Sequence, residues 1–219
     1  MDKKIKTESD LTCVRSYSRQ EFRADEGENG EKTIEGHPAV FNSQADIGGW
    51  FGEVIERGAF DDCNMDDVLF FVNHNTSKIP LARSRRNNGN STMTLSVDNV
   101  GLKMEAKLDT ENNEQARSVY SAVSRGDMDG MSFCFRIKDC TWSGLDTDYP
   151  IRHINKIAQV YEVSAVNEPA YEDTDISARA KVALENARNA VETARSAKSL
   201  ENDKNEIEVY KLRNEILSK

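Results

Sequence analysis

Short apolar runs separated by polar breaks fill the chain to about residue 179 and predict a strand-rich domain. Val68-Leu69-Phe70-Phe71-Val72 is an uninterrupted run rich in β-formers and bounded by polar residues. It predicts a buried strand from Asp67 to Asn73, with His74 at its end. Thr92 to Val97 and Leu102 to Leu108 flank Asp98-Asn99-Val100-Gly101, and Leu102, Met104, Ala106 and Leu108 alternate with Lys103, Glu105 and Lys107. That pattern is a hairpin with one wet face. Met131, Phe133, Phe135 and Ile137 alternate with Ser132, Cys134 and Arg136, so a strand over 131–137 turns the serine away from the bulky apolar side. Val160 to Val166 predicts another strand, with Glu162 and Ser164 on one face and Tyr161, Val163 and Ala165 on the other, stopped by Asn167-Glu168-Pro169.

Between Thr110 and Arg125 the period lengthens. Ala116, Val119, Tyr120 and Val123 recur at helical spacing, Thr110 can cap the start and Gly126 can end it. The segments from Ala39 to Phe41 and from Trp50 to Glu56 read as a strand and its exits, turning at Gly58-Ala59-Phe60. Cys140 to Pro150 reads as a polar loop, Glu26 to Lys32 as a solvated loop, and one short strand is expected to end near Phe22. Beyond Arg179 the chain lacks Gly and Pro, is rich in Ala, Glu, Lys, Arg and Asn, and spaces Leu200 with Ile207 and Tyr210 with Leu217 seven residues apart. This predicts a solvated helix or short coiled coil. The organisation expected is a polar N-terminal segment over 1–35, one β-rich domain over 36–178, and a helical charged tail over 179–219.

Composition narrows the function class. No apolar run approaches the roughly 20 residues of a membrane span, and the basic start leads into Thr7-Glu8-Ser9-Asp10, not an apolar signal core, so a cytoplasmic protein is expected. A net charge of -9 disfavours binding to a phosphate backbone, which leaves protein partners. The four cysteines form no CxxC pair and are expected to stay reduced. The three histidines show neither HxxxH nor HxH spacing, so no metal or cofactor is expected.

The candidate chemistry starts at His74, since an imidazole at the mouth of a rigid strand can take and return a proton near neutral pH; the plainer reading is a surface-loop histidine. Ser132 follows the turn Gly126-Asp127-Met128-Asp129-Gly130 at the head of a strand, and a hydroxyl there becomes nucleophilic only with a base beside it. Cys134, on the same face, and Cys63 are rival nucleophiles, with a small buried hydrophobe as the plainer reading of Cys134. Glu162, a carboxylate in an otherwise apolar strand, either reaches solvent or has a partner; it could orient an imidazole, with His153 in reserve for that role.

Taken in order, five segments resemble the prohead proteases of tailed phages of the HK97 type, relatives of the herpesvirus assemblins. They are Gly58-Ala59-Phe60, the strand ending Val72-Asn73-His74-Asn75, Asp98-Asn99-Val100-Gly101-Leu102, Gly126 to Phe133, and Tyr161 to Ala170, and the resemblance spans about Ala39 to Ile176. It implies an α+β, mainly β fold: an antiparallel β-barrel of the herpesvirus-protease type with packed helices and a C-terminal helical tail. It implies a serine endopeptidase with Ser132 as nucleophile and His74 as base. The second histidine of the viral relatives is matched here by Glu162, which departs from their pattern. Oxyanion donors would be backbone amides, with the turn from Asn167 to Tyr171 as the candidate. Substrates would be scaffold segments of the major capsid protein and the protease itself, cut inside the procapsid in the bacterial cytoplasm. The tail would dock on coat or scaffold and then be trimmed, and a homodimer is suggested. The rival reading is a non-enzymatic scaffolding protein whose β domain merely folds.

Overall fold

The computed structural model describes residues 12–18, 22–167 and 178–217. In chain order these form β1 (Thr12–Ser18), β2 (Arg23–Glu26), β3 (Lys32–Val40), β4 (Gln44–Ile47), β5 (Phe51–Ile55), β6 (Asp67–Val72), β7 (Ala82–Arg85), β8 (Met93–Val97) and β9 (Gly101–Leu108). Helix α1 (Glu114–Arg125), β10 (Gly130–Ser143), β11 (Ile151–Val166) and α2 (Ala178–Leu217) follow. The molecule is mainly β, as the alternation of apolar and polar positions requires.

Two sheets carry the core. One runs β1-β10-β11-β5-β4, with β6 also paired to β11 and β7 paired to β6; the other runs β2-β3-β9-β8. Strand β11 organises the first sheet: β10 lies antiparallel along one side, while the other side takes β5 over Ile151–Ile154 and β6 over Glu162–Ala165, both parallel. Phe70, Phe133, Phe135, Val163, Ala165, Ile34, Leu102, Met104 and Ala106 are buried in one continuous apolar cluster that spans both sheets. The closed barrel expected above is not what the strands make. β7 and the residue before β8 exchange bonds (Thr92 N to Arg83 O at 3.0 Å, Arg83 N to Thr92 Oγ1 at 2.9 Å), but no ladder joins the two sheets among the described residues.

Several boundaries differ from the sequence reading for identifiable reasons. Strand β10 continues to Ser143 and β11 begins at Ile151, well before Val160, so Cys140 to Ser143 are strand, not loop. Register shifts between Cys134 and Cys140 break the two-residue period that would have announced this length. Helix α1 starts later than Thr110: Asn113 is the cap, its side chain accepting from the amides of Gln115 and Ala116, and Gly126 ends the helix at φ 74°. The β8–β9 hairpin is as expected. Gly101 is required there because a Cβ would lie 1.9 Å from the Ala39 carbonyl oxygen. Asp98 locks that turn by accepting from the amides of Val100 (2.7 Å) and Gly101 (2.9 Å) and from His37 Nε2 (2.9 Å).

Helix α2 presents Val191 and Ala194 to Ile47, Phe51, Trp142 and Leu145, a satellite cluster outside the main core. Further along, Leu200, Ile207, Val209 and Tyr210 are exposed, as a solvated helix predicts, whereas the side chain of Leu217 lies outside the described residues. No helix among the described residues is long and apolar enough to cross a membrane. The four cysteines form no disulfide.

One ion cluster is fully inside the fold. Glu53 on β5 is inaccessible to solvent and is held by Arg15 of β1 and by Arg152 of β11, whose Nε donates at 2.7 Å. Burial opposes ionisation of Glu53, yet the two guanidiniums outweigh it and lower its pKa. Replacing Glu53 by Gln leaves two buried cations uncompensated and is expected to cost about 3–5 kcal/mol in chemical denaturation near neutral pH. Because the folded pKa is depressed, this contribution is complete above the usual carboxylate range and is lost as pH falls through the folded value. The two proteins should therefore converge in stability in acid.

Candidate active site

Three adjacent strands of one sheet converge on a polar spot in the apolar interior. On β10, Ser132 stands directly opposite Ser164 of β11, and Cys134 opposite Glu162, so both β11 residues lie on the serine's face. The approach of the two strands is close: a Cβ at Gly130 would lie 2.9 Å from the Val166 carbonyl oxygen, so the head of β10 has no room for a side chain there. On the other side of β11, β6 pairs Phe71 with Ser164 and Val72 with Ala165, which brings the end of β6 level with Ser132.

The chain then turns sharply. Asn73 and His74 both have left-handed backbone (φ 50° and 55°), a conformation that Asn and His adopt more readily than branched residues. The turn is anchored by Asn73 N on the Ala165 carbonyl (2.9 Å), by Asn167 N on Asn73 Oδ1 (3.3 Å), and by His74 N on Ser164 Oγ (3.3 Å). It folds the imidazole back over β11.

The ring then bridges the strands. His74 Nδ1 lies 2.5 Å from Glu162 Oε1, and Nε2 lies 2.6 Å from Ser132 Oγ. Ser164 Oγ donates to Glu162 Oε2 at 2.6 Å, so each carboxylate oxygen has a donor. Burial of Glu162 is tolerable only with such partners. An ionised carboxylate accepts only, which places a proton on Nδ1; the neutral ring then has Nε2 as an acceptor facing the Ser132 hydroxyl. That is the tautomer able to draw a proton off the serine. The side chains of His74 and Glu162 are 21% and 7% exposed, and Ser132 is wholly inaccessible.

Other candidates fall elsewhere. His153 is nine residues from Glu162 along β11, about 30 Å at strand spacing, and forms its own row with Glu56 Oε1 (2.7 Å) and Ser143 Oγ (2.9 Å). Burial pushes the Cys63 thiol up to about 12, which keeps it protonated and unreactive. The His74 nitrogens lie against Glu162 and Ser132, and Cys134 stands opposite Glu162 on the strand beside them. The Asn167 amide is committed to Asn73, and residues 168–171, the rest of the turn named for oxyanion donors, lie outside the described residues. No group of His, Cys, Asp and Glu suited to a metal ion occurs among the described residues. Ser164, which buttresses both Glu162 and the His74 amide, was not nominated from the sequence, although its spacing two residues from Glu162 put it on the same face.

A family model described as caudovirus prohead serine protease matches residues 18–189. The chain belongs to that family. It is therefore a prohead-type serine protease by descent, and the matched span contains His74, Ser132, Glu162 and Ser164 together. The capsid assembly protease of bacteriophage T4, gp21, is similar in structure, with a TM-score of 0.43 and 11% identity, over 71% of this chain and 97% of that one. No protein of curated function matches the chain.

The serine–carboxylate contact can be measured separately from chemistry. Ser164→Ala removes a donor from a buried carboxylate and is expected to cost about 1–3 kcal/mol of stability in urea denaturation. The cost should shrink when Glu162 is already Gln, giving a coupling of about 0.5–3 kcal/mol in a double-mutant cycle; additive costs would show that the two side chains do not interact.

Proposed function

We propose that this chain is a serine endopeptidase of capsid maturation in which Ser132 is the nucleophile, His74 the general base and acid, and Glu162 the group that orients the imidazole. The observation that carries this reading is the bridging ring of His74, 2.6 Å from Ser132 Oγ and 2.5 Å from Glu162 Oε1, in a member of the prohead serine protease family. His74 Nε2 takes the hydroxyl proton as Oγ attacks a peptide carbonyl carbon. The C–N bond then breaks as the same nitrogen returns the proton to the leaving amine, and water, activated by His74 in turn, hydrolyses the acyl-enzyme. Glu162 remains ionised throughout and stabilises the imidazolium that forms.

The substrates proposed are scaffold segments of the major capsid protein and the chain itself, cut inside the procapsid within the host cell. The charged tail over 179–219, much of it exposed on α2, is the segment removed in self-processing, and pairing of two copies would let one trim the other. A carboxylate as third member holds imidazole at least as well as the second histidine of the viral relatives, so the departure at Glu162 is chemically conservative.

The test is incubation with the cognate capsid precursor, followed by sequencing of new termini. Wild-type protein should generate defined internal cuts and shorten its own C-terminus. Ser132→Ala and His74→Ala should each lower the rate by about 10⁴-fold or more, and Glu162→Gln by less. Cleavage that persists in Ser132→Ala and is stopped by thiol alkylation would transfer the chemistry to a cysteine.

A further inference from the structure

An endopeptidase must admit a polypeptide to its nucleophile, yet Ser132 is wholly inaccessible while His74 beside it is partly open. Strand β1 lies directly against Ser132. It pairs antiparallel with the first half of β10, Ser18 opposite Gly130 through Thr12 opposite Arg136, and Ser16 stands across from Ser132. The Arg15 carbonyl oxygen accepts from Ser132 Oγ at 2.7 Å. The hydroxyl has one proton and two acceptors, Arg15 O and His74 Nε2, so the docked strand competes for the proton that catalysis requires.

We infer that β1 occupies the substrate's seat: the polypeptide to be cut docks as an extended strand along the edge of β10 that β1 covers, and residues 12–18 are a cis-acting competitor that keeps Ser132 closed. The inference rests on the protease reading. Its first support is topological. β1 is the edge strand of its sheet, and without it β10 would present unpaired amides and carbonyls beside the nucleophile, the arrangement by which extended peptides are captured.

The second support is chemical. β1 brings a main-chain carbonyl to Ser132 Oγ, the group a substrate must bring. It engages that carbonyl by its oxygen in a hydrogen bond, whereas cleavage needs the carbonyl carbon in front of an Oγ whose proton points to His74. The strand can therefore sit there uncut.

The third support is that its moorings can be released. Arg15 ties β1 to Glu53, but Glu53 keeps Arg152 when Arg15 leaves, so no buried charge is stranded. The family match begins at residue 18, so the matched span holds His74, Ser132 and Glu162 with β1 almost entirely outside it. A competing substrate strand therefore has to replace the ladder between β1 and β10 and release the packing of Cys13 and the Arg15–Glu53 ion pair.

The register supplies its own test. Val14 stands directly across from Cys134, and opposed residues in an antiparallel ladder are spaced for a disulfide. Val14→Cys should oxidise to a cross-link with Cys134 that locks β1 in place. Labelling of Ser132 by a fluorophosphonate should then slow by about tenfold or more relative to the reduced form and recover on reduction, because only the undocked fraction reacts. Arg15→Ala, which loosens the strand without touching the reacting groups, should label faster than wild type, and a synthetic peptide of residues 12–18 should slow it again. Equal labelling rates in cross-linked and reduced protein, or no acceleration in Arg15→Ala, would overturn the inference while leaving the protease reading intact. Absence of Ser132 labelling in every form, with capsid precursor uncut, would overturn both.

Discussion

The site depends on the register of β11. Glu162 and Ser164 face the polar spot only because Val163 and Ala165, both fully buried, face the core against Phe133 and Met131. A slip of one residue would drive the carboxylate into that core and turn two apolar side chains toward His74. The same strand is clamped on its far side by β6, whose pairing with Glu162–Ala165 delivers His74 to the level of Ser132. Hydrophobic burial on one face of β11 therefore fixes polar geometry on the other, and each register is checked by a neighbour on either side.

Within that frame the polar residues support one another. Ser164 links the carboxylate to the backbone of His74, and the left-handed pair Asn73 and His74 turns the ring back over the sheet. A second row of the same chemical kind, Ser143, His153 and Glu56, lies at the other end of β11. Residue type and hydrogen bonding alone thus do not single out a nucleophile. What distinguishes the Ser132 row is its place at the head of β10, a carboxylate buried and doubly satisfied, and the pairing of β1 along β10 beside it.

Much of this could be read from the sequence because it depends on short-range periodicity. The run ending at Val72, the alternation around Ser132 and the lone carboxylate among apolar neighbours at Glu162 each pointed to a strand and a face. Ser164 was visible as a face-mate of Glu162 but had no signal that it would serve as a buttress. The extents of β10 and β11 were hidden by register shifts that break the two-residue period, and nothing local announced the burial of Arg152, because its buried partner Glu53 is far away in the chain. The cap at Asn113 replaced Thr110 because the turn that follows β9 runs through Asp109 and Asn112 before the helix begins. The seat of β1 beside Ser132 joins segments more than a hundred residues apart, and no local pattern encodes such a pairing.

The central claim is that one imidazole joins Glu162 to Ser132. Nitrogen-15 NMR of the His74 ring tests it most directly. The account predicts a proton on Nδ1 with a far-downfield resonance that moves in Glu162→Gln, and an unprotonated Nε2 whose shift responds to Ser132→Ala. A ring protonated on Nε2 instead, or one whose nitrogens ignore both substitutions, would contradict it.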